Sequence, residues 1–282
     1  MTPTALRLER IGLNVADLDA SEAFYAAAFG FARADAEIQD DAALAALLGA
    51  RRLRTRRLRR GAQLLELTVC EPPGAPYPAG SRSNDVWFQH CALATDDMPE
   101  AYRRLCRCGP FEPISRHAPQ ALPGGIVAYK FRDPDGHPLE LIGFPHGDPR
   151  TERGIDHSAI AVADAARSSA FYRWLGLAVQ SRQVNTGPAQ DSLDGLDGTV
   201  VEVVALAPAH PAPHVELLAY HTPRGRRAPL PRPTDIAASR LVFAADALPD
   251  GSGTATLANG GRAALLHDPD GHAVVLLQPP RA

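Results

Sequence analysis

The chain has 282 residues, enough for one or two domains that each bury a core. Apolar residues make up 45% and charged residues 22%, a balance that excludes a disordered or fibrous chain. Twenty-nine basic against 32 acidic side chains leave a net charge of −3, which excludes a general attraction for nucleic acid or an anionic membrane.

No apolar run approaches the roughly 20 residues that span a bilayer. The opening Met1-Thr2-Pro3-Thr4 carries neither the charged leader nor the apolar stretch of a signal peptide. The four cysteines, Cys70, Cys91, Cys106 and Cys108, are too few for a disulfide scaffold and imply reduced thiols and a cytoplasmic location. Cys106 and Cys108 lie two apart in a helical stretch and point in different directions, which argues against a zinc pair.

In chain order, the first predicted element is a short strand in Arg10-Ile-Gly-Leu-Asn-Val-Ala-Asp17, followed by a helix capped by Asp17 and carrying Phe24-Tyr25. Arg51 to Arg60 holds seven arginines and reads as a solvated, twisted strand with guanidinium stems lying along it. A second opening strand starts at His90-Cys-Ala-Leu-Ala-Thr-Asp, and a helix follows. Asp133-Pro-Asp-Gly-His137 is a turn leading into a strand at Leu139–Phe144. A Gly/Pro-containing linker occupies Gly147–Gly154.

The second half repeats this order. His157-Ser-Ala-Ile-Ala-Val-Ala-Asp164 lies in a strand at Ile155–Val162, and Asp164 caps a helix carrying Phe171-Tyr172. Gln183–Asp191 is polar and reads as a loop forming a lid or pocket rim. A strand at Val215–Tyr220 follows. Arg240-Leu-Val-Phe-Ala-Ala-Asp opens a last unit, and its Ala247–Leu257 segment, with Pro249, Gly251 and Gly253, predicts a short or missing helix. Asp268-Pro-Asp-Gly-His272 repeats the turn.

These repeats define two similar halves, 1–147 and 153–282, and four units at about 6–72, 84–146, 153–222 and 234–280. Opening strand, Phe-Tyr helix and Asp-Pro-Asp-Gly-His turn together resemble the vicinal-oxygen-chelate superfamily, which contains glyoxalases, bleomycin resistance proteins and dioxygenases. The resemblance covers nearly the whole chain and is weakest in the fourth unit. It implies an α+β fold: four βαβββ modules forming two cupped, eight-stranded mixed sheets with helices on the outer faces.

In that family the metal ligands come from the first and last strands of each module. Carried over residue by residue, the positions hold Arg10 and Glu66, His90 and Glu140, His157 and Glu216, and Arg240 and Val275. Two pairings are open. Sequential pairing, as in the ring-cleaving dioxygenases, puts His157, Arg240 and Val275 at that family's ligand positions, and arginine cannot coordinate a metal. Pairing the inner units gathers His90, Glu140, His157 and Glu216 and leaves the odd residues in one metal-free outer cup, and we favour it. The inner set suits one divalent ion: Zn, Ni, Co, Mn or Fe. Strand alternation agrees, since apolar Leu139, Leu141, Val215 and Leu217 flank the two glutamates.

His137 and His272 read as turn residues. His214, Tyr220 and Tyr129 are candidate substrate contacts, and Arg10 with Arg240 a possible anion site. The resemblance implies a metal-dependent glyoxalase-like lyase or isomerase acting on a small oxygen-chelating substrate. Glu140 or Glu216 would be the base for proton abstraction beside a metal-polarised carbonyl. The alternatives are an Fe(II)-dependent dioxygenase, using two histidines and one carboxylate, and a non-enzymatic small-molecule binding or resistance protein. The expected partner is a small molecule, with no nucleic acid and no membrane, and the chain a monomer or homodimer. Substrate, metal identity and any thiol cofactor stay open.

Overall fold

In the computed structural model, residues 4–35, 38–39, 41–152, 154–210, 213–227, 231–250 and 253–280 are described. The segment Met1–Pro3, Arg153 of the linker and Gly251 of the fourth unit lie outside them. No helix among the described residues is long and apolar enough to cross a membrane.

The first unit contains β1 (Ala5–Asn14), α1 (Leu18–Phe29), the short β2 (Ala32–Arg33) and β3 (Ile38–Gln39), α2 (Ala42–Leu47), and the hairpin β4 (Arg52–Arg60) and β5 (Gln63–Glu71). The second contains β6 (Gln89–Thr95), α3 (Met98–Arg107), the short β7 (Glu112–Pro113) and β8 (Gln120–Ala121), β9 (Val127–Arg132) and β10 (Pro138–Gly143). The third contains β11 (Ile155–Ala161), α4 (Ala165–Trp174), β12 (Ala178–Thr186), α5 (Pro188–Asp194), β13 (Val200–Ala207) and β14 (His214–Thr222). The fourth contains β15 (Arg240–Ala245), β16 (Thr254–Thr256), β17 (Arg262–His267) and β18 (Ala273–Gln278). Its described residues form no helix, as the glycines and proline at 249–253 predict.

Local chemistry sets the helix starts. Asp17, Asp97 and Asp164 each accept bonds from backbone N–H groups of the first turn of α1, α3 and α4. Gly30 ends α1 in the left-handed conformation, at φ 73°, where a side chain would be strained.

The strands form two mixed sheets, each nine-stranded with eight strands along its main path. One joins the first and fourth units, in the order β16-β17-β18-β15-β1-β5-β4-β2. The other joins the second and third, in the order β12-β13-β14-β11-β6-β10-β9-β7. The inner units therefore meet edge to edge through antiparallel β6 and β11, and the outer units through antiparallel β1 and β15. Each sheet draws strands from both halves of the chain.

One apolar core contains the helix-facing side chains of both sheets, such as Ile11, Leu65, Leu139 and Leu217, together with Phe24 and Phe29 of α1 and Tyr172 of α4. The repeated motifs tie this core together. The Tyr25 hydroxyl on α1 donates to Asp133 Oδ2 at 2.8 Å, and the Tyr172 hydroxyl on α4 donates to Asp268 Oδ2 at 3.4 Å. Each Asp-Pro-Asp-Gly-His turn thus grips the helix of a unit belonging to the other sheet. Asp133 also accepts from His137 Nδ1 at 2.9 Å, so this histidine is a turn residue, as its position predicts.

Candidate metal centre

The inner sheet brings four distant stretches of chain to one point. Residues on β6, β10, β11 and β14 are locked in register: His90 lies opposite Ala159, Glu140 beside Ala92, His157 opposite Ala92, and Glu216 beside Ala159. Side chains alternate across a strand, so all four project from the face away from the helices. Alanines between them leave room for the imidazoles.

Glu140 Oε2 lies 2.7 Å from His90 Nε2 and 3.9 Å from His157 Nε2. His157 Nε2 lies 3.6 Å from Glu216 Oε2, and the two imidazole centres are 5.6 Å apart. One donor atom from each of His90, Glu140 and His157 falls within 4.8 Å of the others. The centre is deep: His90 is 2% and Glu140 5% exposed, whereas the Glu216 side chain, 22% exposed, lies toward the opening.

The Nε2 atoms of His90 and His157 are both buried; that of His90 meets the Glu140 carboxylate at 2.7 Å, and that of His157 has no hydrogen-bond partner among the described residues. Such an orphan costs about 1–3 kcal/mol. A cation is the group that two imidazole lone pairs and a carboxylate fit together, and the donor set suits Zn, Ni, Co, Mn or Fe.

Neighbouring charges shape the site. Burial pushes His90 below the usual imidazole range, and the Lys130 ammonium adds to this against the pull of Glu140. Burial acts the same way on His157, but Glu216, Asp156 and Glu140 around it hold it up at about 9. Burial would raise Glu216, yet the His157 and His214 imidazoles hold it at about 2. Glu140 is held low against its burial by His90 and Lys130.

Two supporting residues escaped the sequence reading. Asp156 Oδ2 lies 3.0 Å from His157 Nδ1. Adjacent strand residues ordinarily point to opposite faces, but the ladder slips between Ile155 and His157, and this irregularity lets Asp156 reach its neighbour. A proton on Nδ1 leaves Nε2 as the free donor atom. Lys130, the sole lysine, lies directly across from Glu140 on β9 and donates to Asp194 Oδ1 at 2.7 Å. Gln190 donates to the other oxygen of Asp194, also at 2.7 Å. The segment Gln183–Asp191, expected as a loop, is instead the end of β12 and most of α5, and α5 carries Gln190 and Asp194 to Lys130.

The candidate substrate contacts divide. His214 Nε2 lies 3.3 Å from Glu216 Oε1, and its ring centre is 5.2 Å from that of His157. With Asp156 and His157 it makes a second possible cation-holding group. Tyr220 lies on the Glu216 face among Phe88, Ala159 and Val203, and its hydroxyl is buried. Tyr129 does not join the site. It follows strand alternation to the helix side, where its ring packs 4.8 Å from Tyr102 of α3 and stacks on Phe131.

The outer cup repeats the register with other residues. Arg10 lies opposite Val242 and Arg240 opposite Gly12, while Glu66 sits beside Gly12 and Val275 beside Val242. These are the positions of His157, His90, Glu216 and Glu140. Arg10 Nε donates to Glu66 Oε2 at 2.7 Å. Arg240 is 1% exposed and donates to Asn14 Oδ1 at 2.6 Å and Thr68 Oγ1 at 2.9 Å. Its guanidinium lies over Gly12, where an added Cβ would sit 3.1 Å from Nε. Val275 packs with Val242, Ala45 and Leu48.

The family description Glyoxalase/Bleomycin resistance protein/Dioxygenase superfamily matches residues 7–141. These residues, just under half of the chain, belong to this superfamily. Glyoxalase I from Zea mays superposes with a TM-score of 0.62 at 17% identity, covering 96% of this chain and 92% of that one. A mutant of the same maize enzyme gives 0.66 at 18%, with the same coverage. A putative dioxygenase from Bacillus subtilis gives 0.59 at 14%, covering 99% of this chain and 87% of that one. At these identities the likeness establishes the superfamily fold and leaves the reaction to the site. No curated protein sequence matches the chain.

Proposed function

We propose that this superfamily member is a metal-dependent glyoxalase-like isomerase or lyase acting on a small carbonyl or hydroxyl substrate. The observation that carries the reading is the convergence of two buried imidazole Nε2 atoms, that of His157 without a hydrogen-bond partner among the described residues, with the Glu140 carboxylate. His90, Glu140, His157 and Glu216 would hold the ion, and a divalent ion there supplies Lewis-acid polarisation of a bound carbonyl.

The chain's own groups supply the proton transfer. Glu216, at the opening and 22% exposed on its side chain, is placed to take a proton from the carbon beside the carbonyl and return it to the neighbouring carbon. Glu140, set between His90 and Lys130, is a fixed anion. His214 orients Glu216 from 3.3 Å. The apolar wall of Phe88, Val201 and Val203 excludes water from the rest of the cup.

The test is metal content by mass spectrometry after purification without chelator, repeated on the His90→Ala/His157→Ala double variant. We expect about one ion per chain in the parent and none in the variant. A metal-free parent that cannot be reconstituted refutes the reading and favours a binding or resistance protein.

A second reading is favoured by the tighter grouping of His90, His157 and Glu140, two imidazoles and one carboxylate that suit Fe(II) oxygen chemistry. Oxygen uptake by the Fe(II)-loaded protein with a catechol would support it, and isomerisation of a 2-oxoaldehyde adduct without oxygen uptake would exclude it.

A further inference from the structure

The outer cup has the shape of a ligand site, but Arg10, Arg240 and Val275 at its equivalent positions cannot hold a metal. A cavity of about 440 Å³ opens at the position equivalent to the metal centre, among Arg10, Arg57, Thr55 and Glu66 and the apolar Leu44, Leu53 and Leu277. It is roofed. α2 and the turn at Leu257–Asn259 close over it, and Asp41 clasps the two: one oxygen caps α2 while the other accepts from Ala258 N at 2.7 Å.

The polar groups leave donors over. Glu66 is engaged by Arg10 Nε at 2.7 Å and by Arg57 Nε at 3.4 Å. Arg240 adds a third guanidinium behind them, engaged with Asn14 and Thr68 and outside the cavity lining. The remaining carboxylates are accounted for. Glu9 lies 3.7 Å from Arg10 Nη1, Asp35 lies 3.4 Å from Arg57 Nη1, and both oxygens of Asp41 are used by the clasp. Beyond the Glu9 ion pair, the Nη edge of Arg10 has no partner among the described residues, and that residue is 5% exposed.

We propose that the outer cup is a metal-free binding site for a small organic anion, a carboxylate with an apolar body, held by Arg10 and Arg57 beneath α2. A planar guanidinium edge matches a carboxylate, and the leucines match an aliphatic or aromatic body. This reading differs from the Arg10–Arg240 anion site expected from the sequence in one residue. Arg240 is buried as a support, and Arg57, from the arginine-rich strand, takes its place at the cavity.

The test is isothermal titration of the chelator-treated protein with hexanoate and phenylacetate, with 1-hexanol and inorganic phosphate as controls. We expect saturable one-to-one binding of the carboxylates, weakened at least tenfold in Arg57→Gln and in the cavity-filling Leu44→Trp. The same binding persists in the His90→Ala/His157→Ala variant, which separates this site from the metal centre. The proposal is overturned by no saturable binding of either carboxylate, by equal binding in both outer-cup variants, or by loss in the histidine variant. It is overturned equally if hexanol or phosphate binds as tightly as hexanoate.

Discussion

Replacing Asp156 distinguishes two ways in which His157 could serve a cation. One uses its Nε2 with His90 and Glu140, and the other uses Nδ1 with Asp156 and His214. In the first, Asp156 is no ligand. It holds the Nδ1 proton at 3.0 Å and so presents Nε2 to the ion. Carboxylates that orient a ligating histidine in this way typically contribute about 10- to 100-fold to metal affinity, or about 1.4–2.7 kcal/mol. Asp156→Asn, which can still accept the bond, should sit near the lower figure and Asp156→Ala near the upper. His157→Ala should abolish binding at concentrations where Asp156→Asn still saturates. Competition against a chromogenic chelator with Zn(II) or Co(II) measures all three. Equal losses in Asp156→Asn and His157→Ala, with His90→Ala unaffected, would show that the ion sits on the Nδ1 side and refute the assignment.

Glu216→Gln should retain the ion, held by three remaining donors, and lose most of kcat; retained turnover in a steady-state assay would move the base to Glu140. Tyr25→Phe should cost about 1.5 kcal/mol in urea unfolding, because a 2.8 Å bond to a buried carboxylate is lost. Tyr172→Phe, whose bond is 3.4 Å, should cost less, and the reverse order would count against the interlocking role of the turns. The Asp133–His137 pair predicts a pH window. Asp133 and other carboxylates hold His137 above its usual 6.5 against burial, so its contribution is full below that value and lost as pH rises through the raised one. Against burial, His137 holds Asp133 below its usual 3.8, so that contribution is full above 3.8 and lost as pH falls. His137→Gln should therefore destabilise more at pH 5 than at pH 8 in denaturant titrations; a difference independent of pH would remove the ion pair from the account.

Repetition made much of the molecule legible in one dimension. The Asp17 and Asp164 caps, the strand glutamates with apolar neighbours and the paired turns depend on local backbone preference and on side-chain alternation, both of which leave periodic marks in a sequence. The four candidate ligand positions follow from equivalent places in equivalent units, and strand register brings these side chains together. What the turns are for was not legible. Tyr25 and Asp133 are 108 residues apart, and only packing shows that the motif of one unit fastens the helix of another. Asp156 was hidden because alternation assigns it to the wrong face, and a slip in hydrogen bonding between two strands of a ladder leaves no local mark. Tyr129 was misplaced for the related reason that its neighbour Lys130, not Tyr129 itself, shares the Glu140 face. A sequence records which side chains a strand can offer to each face, and the meeting of strands decides which of them find one another.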